Sequence, residues 1–146
     1  MNGTASASRR ALITGFLLLA FSLPLGLTLE ALHAWKVPVY LGSALRRELW
    51  TLAHAHGNLL GVLLLALAAL GDRVTADAAR LARICTLACT GAVLMPLGFL
   101  LGGVLNHEGD PSPGIALVPV GGVVLLVALL LAAAAALRSR RDGGGE

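Results

Sequence analysis

The sequence predicts an all-α fold, an integral membrane four-helix bundle, and three observations predict it. Hydrophobic residues make up 57% of the 146-residue chain and charged residues 13%, with a mean hydropathy of +0.83. That balance is too apolar for an ordinary soluble domain of this size. Four windows, 11–32, 49–70, 81–105 and 115–137, each reach the roughly 20 residues that a helix needs to cross a bilayer. The arginines gather near the ends of those windows, where spans meet water.

The first window begins SRRALITGFLLLA, which has the look of a secretory or twin-arginine signal. It stays apolar for a full membrane thickness and no convincing A-x-A site follows, so it reads as an uncleaved first helix behind a short cytoplasmic segment, 1–10. The second window carries His54, His56 and Asn58. The third carries Cys85 and Cys89, four residues apart, a spacing that reads as packing surface because a bridge between helical neighbours would be strained. Pro96 is expected to kink it and free the carbonyl of Ala92, which can shape a cavity. The fourth holds nothing ionisable, with Ser112 and Pro113 as its expected N-cap and first-turn residue. Residues 11–137 thus form one transmembrane domain, and the charged, glycine-rich end, 138–146, reads as a disordered cytoplasmic tail.

Charge sets the expected orientation. Arg9, Arg10, Arg73, Arg80, Arg83, Arg138, Arg140 and Arg141 fall on one side and Lys36, Arg46 and Arg47 on the other. The positive-inside rule then places both termini in the cytoplasm of a bacterial-type plasma membrane. These arginines also account for the pI near 9.5. They are split among three short segments and form no single patch, so nucleic acid is not an expected partner; lipid and a small apolar ligand are. The chain has no phosphate-binding glycine loop, nucleophile elbow or CxxC motif, which leaves phosphoryl transfer, serine hydrolysis and thiol redox chemistry without support.

Chemistry concentrates in LWTLAHAHGNLLG, residues 49–61. Polar groups at membrane depth are costly and usually functional. On a helix His54, Gly57, Asn58 and Gly61 share one face, whereas His56 points about 160° away from His54. The face offers a nitrogen ligand beside a glycine-floored groove; equally, Gly57 and Gly61 are a GxxxG packing notch. Glu30, His33, Trp35, Tyr40, Trp50, His107 and Glu108 collect toward the same outer side. The three aromatics suit an interfacial belt. Three chemistries fit such a set: a carboxylate-bridged metal centre built on Glu30 and His33 with His54, His56, His107 and Glu108, although only one Glu-x-x-His pair exists; a b-type haem on one imidazole; or no cofactor, the histidines being capped by carbonyls.

Trp50, Thr51, Leu52, Ala53 and His54, with Gly61 seven residues beyond the histidine, resemble the start of the second helix in the styrene oxide isomerase family of small four-span membrane enzymes. More loosely the segment is similar to the hydroxylaminobenzene mutase group. The resemblance implies a trimer of four-helix protomers, haem b near subunit interfaces with His54 as the axial metal ligand, and an isomerase in which ferric iron acts as a Lewis acid on epoxides. It further implies that His54 Nε2 binds iron while its other ring nitrogen donates to a carbonyl or carboxylate. Gly57 and Gly61 would admit the macrocycle, and Arg46 or Arg47 would pair with propionates. The sequence departs from the family pattern at several points. Leu52 stands where the pattern has arginine, Leu60 occupies the asparagine position, and Asn58 is displaced by two residues, about 160° around the helix. The third span also lacks the family's aspartate and tyrosine. Haem binding without isomerase activity, or a non-catalytic bundle that binds haem or quinone, senses a gas or serves as a scaffold, therefore stands as the alternative.

Overall fold

A computed structural model describes residues 3–104, 106 and 109–142, with the side chains of 139–142 outside the description. The chain forms α1 (Gly3–Ala34), a single turn α2 (Pro38–Leu41), α3 (Ala44–Val74), α4 (Ala78–Gly102) and α5 (Leu117–Asp142), the last preceded by a 3-10 turn at Pro113–Ala116. Four of these helices are long and apolar enough to cross a membrane, which makes this an all-α, multi-pass membrane bundle.

Helix ends differ from the hydropathy windows because apolarity marks where lipid begins, not where helical hydrogen bonding stops. α1 starts at Gly3, so most of 1–10 belongs to it, and Ala7 and Ala11 are buried against Leu81 and Cys85 of α4. α5 continues through Asp142, since Arg138 and its neighbours are good helix formers; residues 143–146 lie outside the described residues. Ser112 does not act as a side-chain cap: its hydroxyl donates to Leu101 O at 2.6 Å. α1 closes in a Schellman motif, with Lys36 N donating to His33 O and Val37 N to Leu32 O. Lys36 takes the left-handed position there (φ 51°), and Pro38 directs the chain into α2.

α1, α3 and α4 pack on one another, whereas α5 lies mainly on α4, touches α3 lightly and does not reach α1. Lipid is as apolar as leucine, so van der Waals contact between close-fitting surfaces must hold such helices together. Small residues supply it. Gly15 and Gly61 bring the backbones of α1 and α3 together, and Gly91 and Gly121 do the same for α4 and α5. Leu60, Leu64, Ala88, Ala92, Leu125 and Ala128 form the core of the α3–α4–α5 side. Cys85 and Cys89 are both free thiols; Cys85 is buried in the α1–α4 cluster, a packing role.

The end of the bundle that carries α2 is tied by Arg46. Its Nε donates to Gly103 O at 2.9 Å and its terminal nitrogens to Val39 O and Val104 O, while the guanidinium sits 5.7 Å over the Trp50 ring. Arg47 donates to Leu41 O. One side chain thus holds the α2 turn and the carbonyl end of α4 on the start of α3. Arg46→Ala is expected to lower stability by about 2 kcal/mol, read as an earlier midpoint in a mixed-micelle denaturation; an unshifted midpoint would show that the tie contributes nothing.

At the opposite end Asp77 caps α4, accepting from Ala79 N (2.9 Å) and Arg80 N (3.1 Å). The Arg80 backbone donor is the largest influence lowering the Asp77 carboxyl below its ordinary value. A carboxylate depressed in the folded state contributes stability that is present above its unfolded pKa and lost as pH falls through the folded one. Acidification below about pH 4 is therefore expected to cost wild type more than Asp77→Asn, compared by thermal unfolding at pH 3 and 6.

Candidate functional site

The seam between α1 and α3 places His54. The two helices run antiparallel and meet through a small residue at three successive steps: Gly15 against Gly61, Ser22 against Gly57, and Gly26 against His54. A Cβ at Gly26 would run into the imidazole, and one at Gly57 would come within 2.6 Å of Ser22 Oγ. The ring therefore lies flat on the backbone of α1. One hydrogen bond holds the ring there, His54 Nδ1 lying 2.8 Å from Ser22 O, and a second ties the backbone beneath it, Ser22 Oγ donating to His54 O at 2.7 Å. A carbonyl only accepts, so Nδ1 carries the proton and Nε2 keeps the lone pair.

Asn58 stands one turn inward on α3. Its amide nitrogen is 3.2 Å from Nε2 and 3.4 Å from Nδ1. A donor aligned with the Nε2 lone pair would be much farther from Nδ1 than from Nε2, so this amide sits over the face of the ring. The lone pair is left without an in-line partner. Asn58 Oδ1 is enclosed and has no hydrogen bond among the described residues.

The expected groove is occupied by the protein itself. Ser22 fills the space above Gly57, and Leu19 with the Gly15 carbonyl fills that above Gly61. His54, Gly57, Asn58 and Gly61 do share a face, but that face is the helix seam: Gly61 is covered by α1, and Gly57, beneath Ser22, reaches open space only at the edge of a cavity on the α4 side. Arg46 spends all three guanidinium nitrogens on backbone carbonyls, and Arg47 Nη1 donates to Leu41 O.

His54 instead borders a cavity of about 360 Å³ between α1, α2 and α3, lined by Gly26, Leu29, Glu30 and His33 of α1, Tyr40 of α2, and Thr51 and His54 of α3. Glu30 and His33 thus come to the same cavity as His54, as their position at the outer end suggested. His56 does not: its Nδ1 lies 2.9 Å from Leu52 O and its ring packs on Phe99 at 4.8 Å. His107 and Glu108 lie outside the described residues. Among the described residues no three His, Cys, Asp or Glu side chains converge as a metal site. Nor is Tyr40 a belt residue. It is only 5% exposed and stacks on Trp50 at 6.2 Å, and Trp50 Nε1 donates to Leu100 O, whereas Trp35 is 78% exposed.

A second cavity of about 450 Å³ opens between α1 and α4 over Ala53 and Gly57 of α3. Pro24 and Pro96 both border it with Phe21, Leu25, Leu97 and Leu100, and its lining is almost wholly apolar. Pro96 thus lines the kind of space its missing N–H suggested.

Ser22 and Gly26 are the residues that sequence reasoning missed, and Tyr40 the one it assigned to the wrong surroundings. The first two had a signal: small residues four apart, one of them polar, inside a long apolar run. Comparison of the chain with protein-family models, curated proteins and solved structures finds no match.

Proposed function

We propose that this chain is a membrane-embedded haem b protein with His54 as the axial ligand, related in chemistry to isomerases that act on small apolar substrates such as epoxides. The observation that carries the reading is the imidazole's restraint: Nδ1 donates to the Ser22 carbonyl and Nε2 retains an unaligned lone pair. This is the arrangement by which proteins fix the tautomer and orientation of metal-binding histidines. The fit is partial. Ser22 and Leu19 fill the notch at Gly57 and Gly61, so His54 would hold a macrocycle from the exposed side of α3, where Ala55, Leu59 and Val62 are exposed. That strip faces away from the chain's own helices, which suits a group shared between copies in a homo-oligomer, a trimer by the resemblance.

When bound, ferric haem supplies an electrophilic iron. The chain's own residues orient the ring: the Ser22 carbonyl holds Nδ1 and Gly26 gives the imidazole its seat on α1. In this reading both termini are cytoplasmic and the membrane is a bacterial-type plasma membrane.

The filled glycine notch favours a second reading, a bundle without catalysis. Absorption spectra of detergent-purified protein test the first: a Soret band is expected, and its absence in protein grown with ample haem would sink it. Turnover of an aryl epoxide to an aldehyde then separates enzyme from carrier. The expected rate is low, since Leu52 and Leu60 replace the polar residues of the family pattern.

A further inference from the structure

Tyr40 is the one nine-tenths-buried side chain on the outer cavity that carries a reactive polar atom. Its Oη neither donates nor accepts a hydrogen bond among the described residues, and it is not sealed in the packing as Asn58 Oδ1 and Asn106 Oδ1 are. A buried phenol normally finds a partner. The stack on Trp50, itself tied to Leu100 O and covered by Arg46, fixes the ring and therefore the place where the hydroxyl is offered.

We infer that this cavity binds a small neutral molecule with an apolar body and one hydroxyl or carbonyl oxygen, held by Tyr40 Oη. Three features set the class. The lining is mixed, with Gly26 and Leu29 beside Glu30 and His33 on α1, and Thr51 and His54 on α3. No lysine or arginine lines it, so an anion finds no counter-charge there. Its position at the outer end of α1 and α3 is open to molecules that partition at the lipid–water boundary. The oxygen accepts from Tyr40, and a hydroxyl proton on the ligand finds an acceptor in Glu30. The inference goes beyond the haem reading, since its geometry involves Tyr40 and not iron.

The test uses 4-fluorobenzyl alcohol, 4-fluorotoluene and 4-fluorobenzylamine as fluorine NMR probes, titrated into the purified full-length protein with empty micelles as background and the Soret region recorded on each sample. The alcohol is expected to bind about tenfold more tightly than the toluene, the contribution of one hydrogen bond. Tyr40→Phe keeps the stacked ring and should abolish that difference. Thr51→Leu, which fills the cavity from an exposed helix position, should weaken both probes. Equal affinity for alcohol and toluene, an unaltered ratio in Tyr40→Phe, or preferential binding of the amine, which would mark a cation site at Glu30, overturns the inference. A missing Soret band with the alcohol preference intact defeats the haem reading alone; a Soret band without probe binding defeats this one alone.

Discussion

His54→Ala is expected to abolish the Soret band of the purified protein, while His56→Ala retains it. Both rings donate Nδ1 to a carbonyl, so tautomer alone does not separate them. Their surroundings do. The His54 ring is held by a different helix, against a glycine, at the edge of an exposed strip of α3; the His56 ring bonds to its own helix and packs on Phe99. Removing the only strong axial ligand from one haem face leaves no replacement within the seam, so the expected loss is complete. Ser22→Ala provides the control. The bond that orients the imidazole comes from the Ser22 backbone, which the substitution keeps, whereas the Oγ bond to His54 O is lost. That variant should keep its spectrum and lose about 1 kcal/mol of stability. A normal Soret band in His54→Ala would end the ligand assignment.

Gly91→Val should produce the largest structural effect, a destabilisation of about 3 kcal/mol read as an earlier midpoint in mixed-micelle denaturation. A Cβ at Gly91 would lie 2.7 Å from Gly121 O and 2.8 Å from Leu125 N. Both are backbone atoms of α5, so relief requires the whole helix to retreat. Retreat is especially costly because α5 has α4 as its main neighbour. Gly122→Val is the matched control: nothing lies within 4 Å of a Cβ at Gly122, and its midpoint should barely change. Equal effects from the two substitutions would show that the close approach at Gly91 does not hold α5.

Much of the fold was legible because lipid imposes two simple demands, apolar length and satisfied backbone groups. The four windows met the first. Their ends were less legible, since Ala7 and Arg138 are helical for reasons that hydropathy does not register. At the site, the shared face of His54, Gly57, Asn58 and Gly61 followed from helical periodicity alone. What that face meets did not follow, because a glycine is equally apt for a ligand and for a neighbouring helix. Here the serine that fills Gly57 sits 35 residues earlier in the chain, and only tertiary packing reveals it. Arg46 and Tyr40 were misplaced for a related reason. Each was read from its distance to the membrane edge, and each is in fact engaged by the short α2 turn and Trp50, contacts with no periodic signature.

The Ser22–His54 pair carries a consequence for biogenesis. The His54 imidazole is met by the Ser22 carbonyl and the Ser22 hydroxyl by the His54 carbonyl, so these polar side chains reach those partners only when both segments are present. The first and second long helices should therefore leave the insertion machinery together, the earlier segment waiting until the later one arrives, so that the protein enters the bilayer by hairpins and not one crossing at a time.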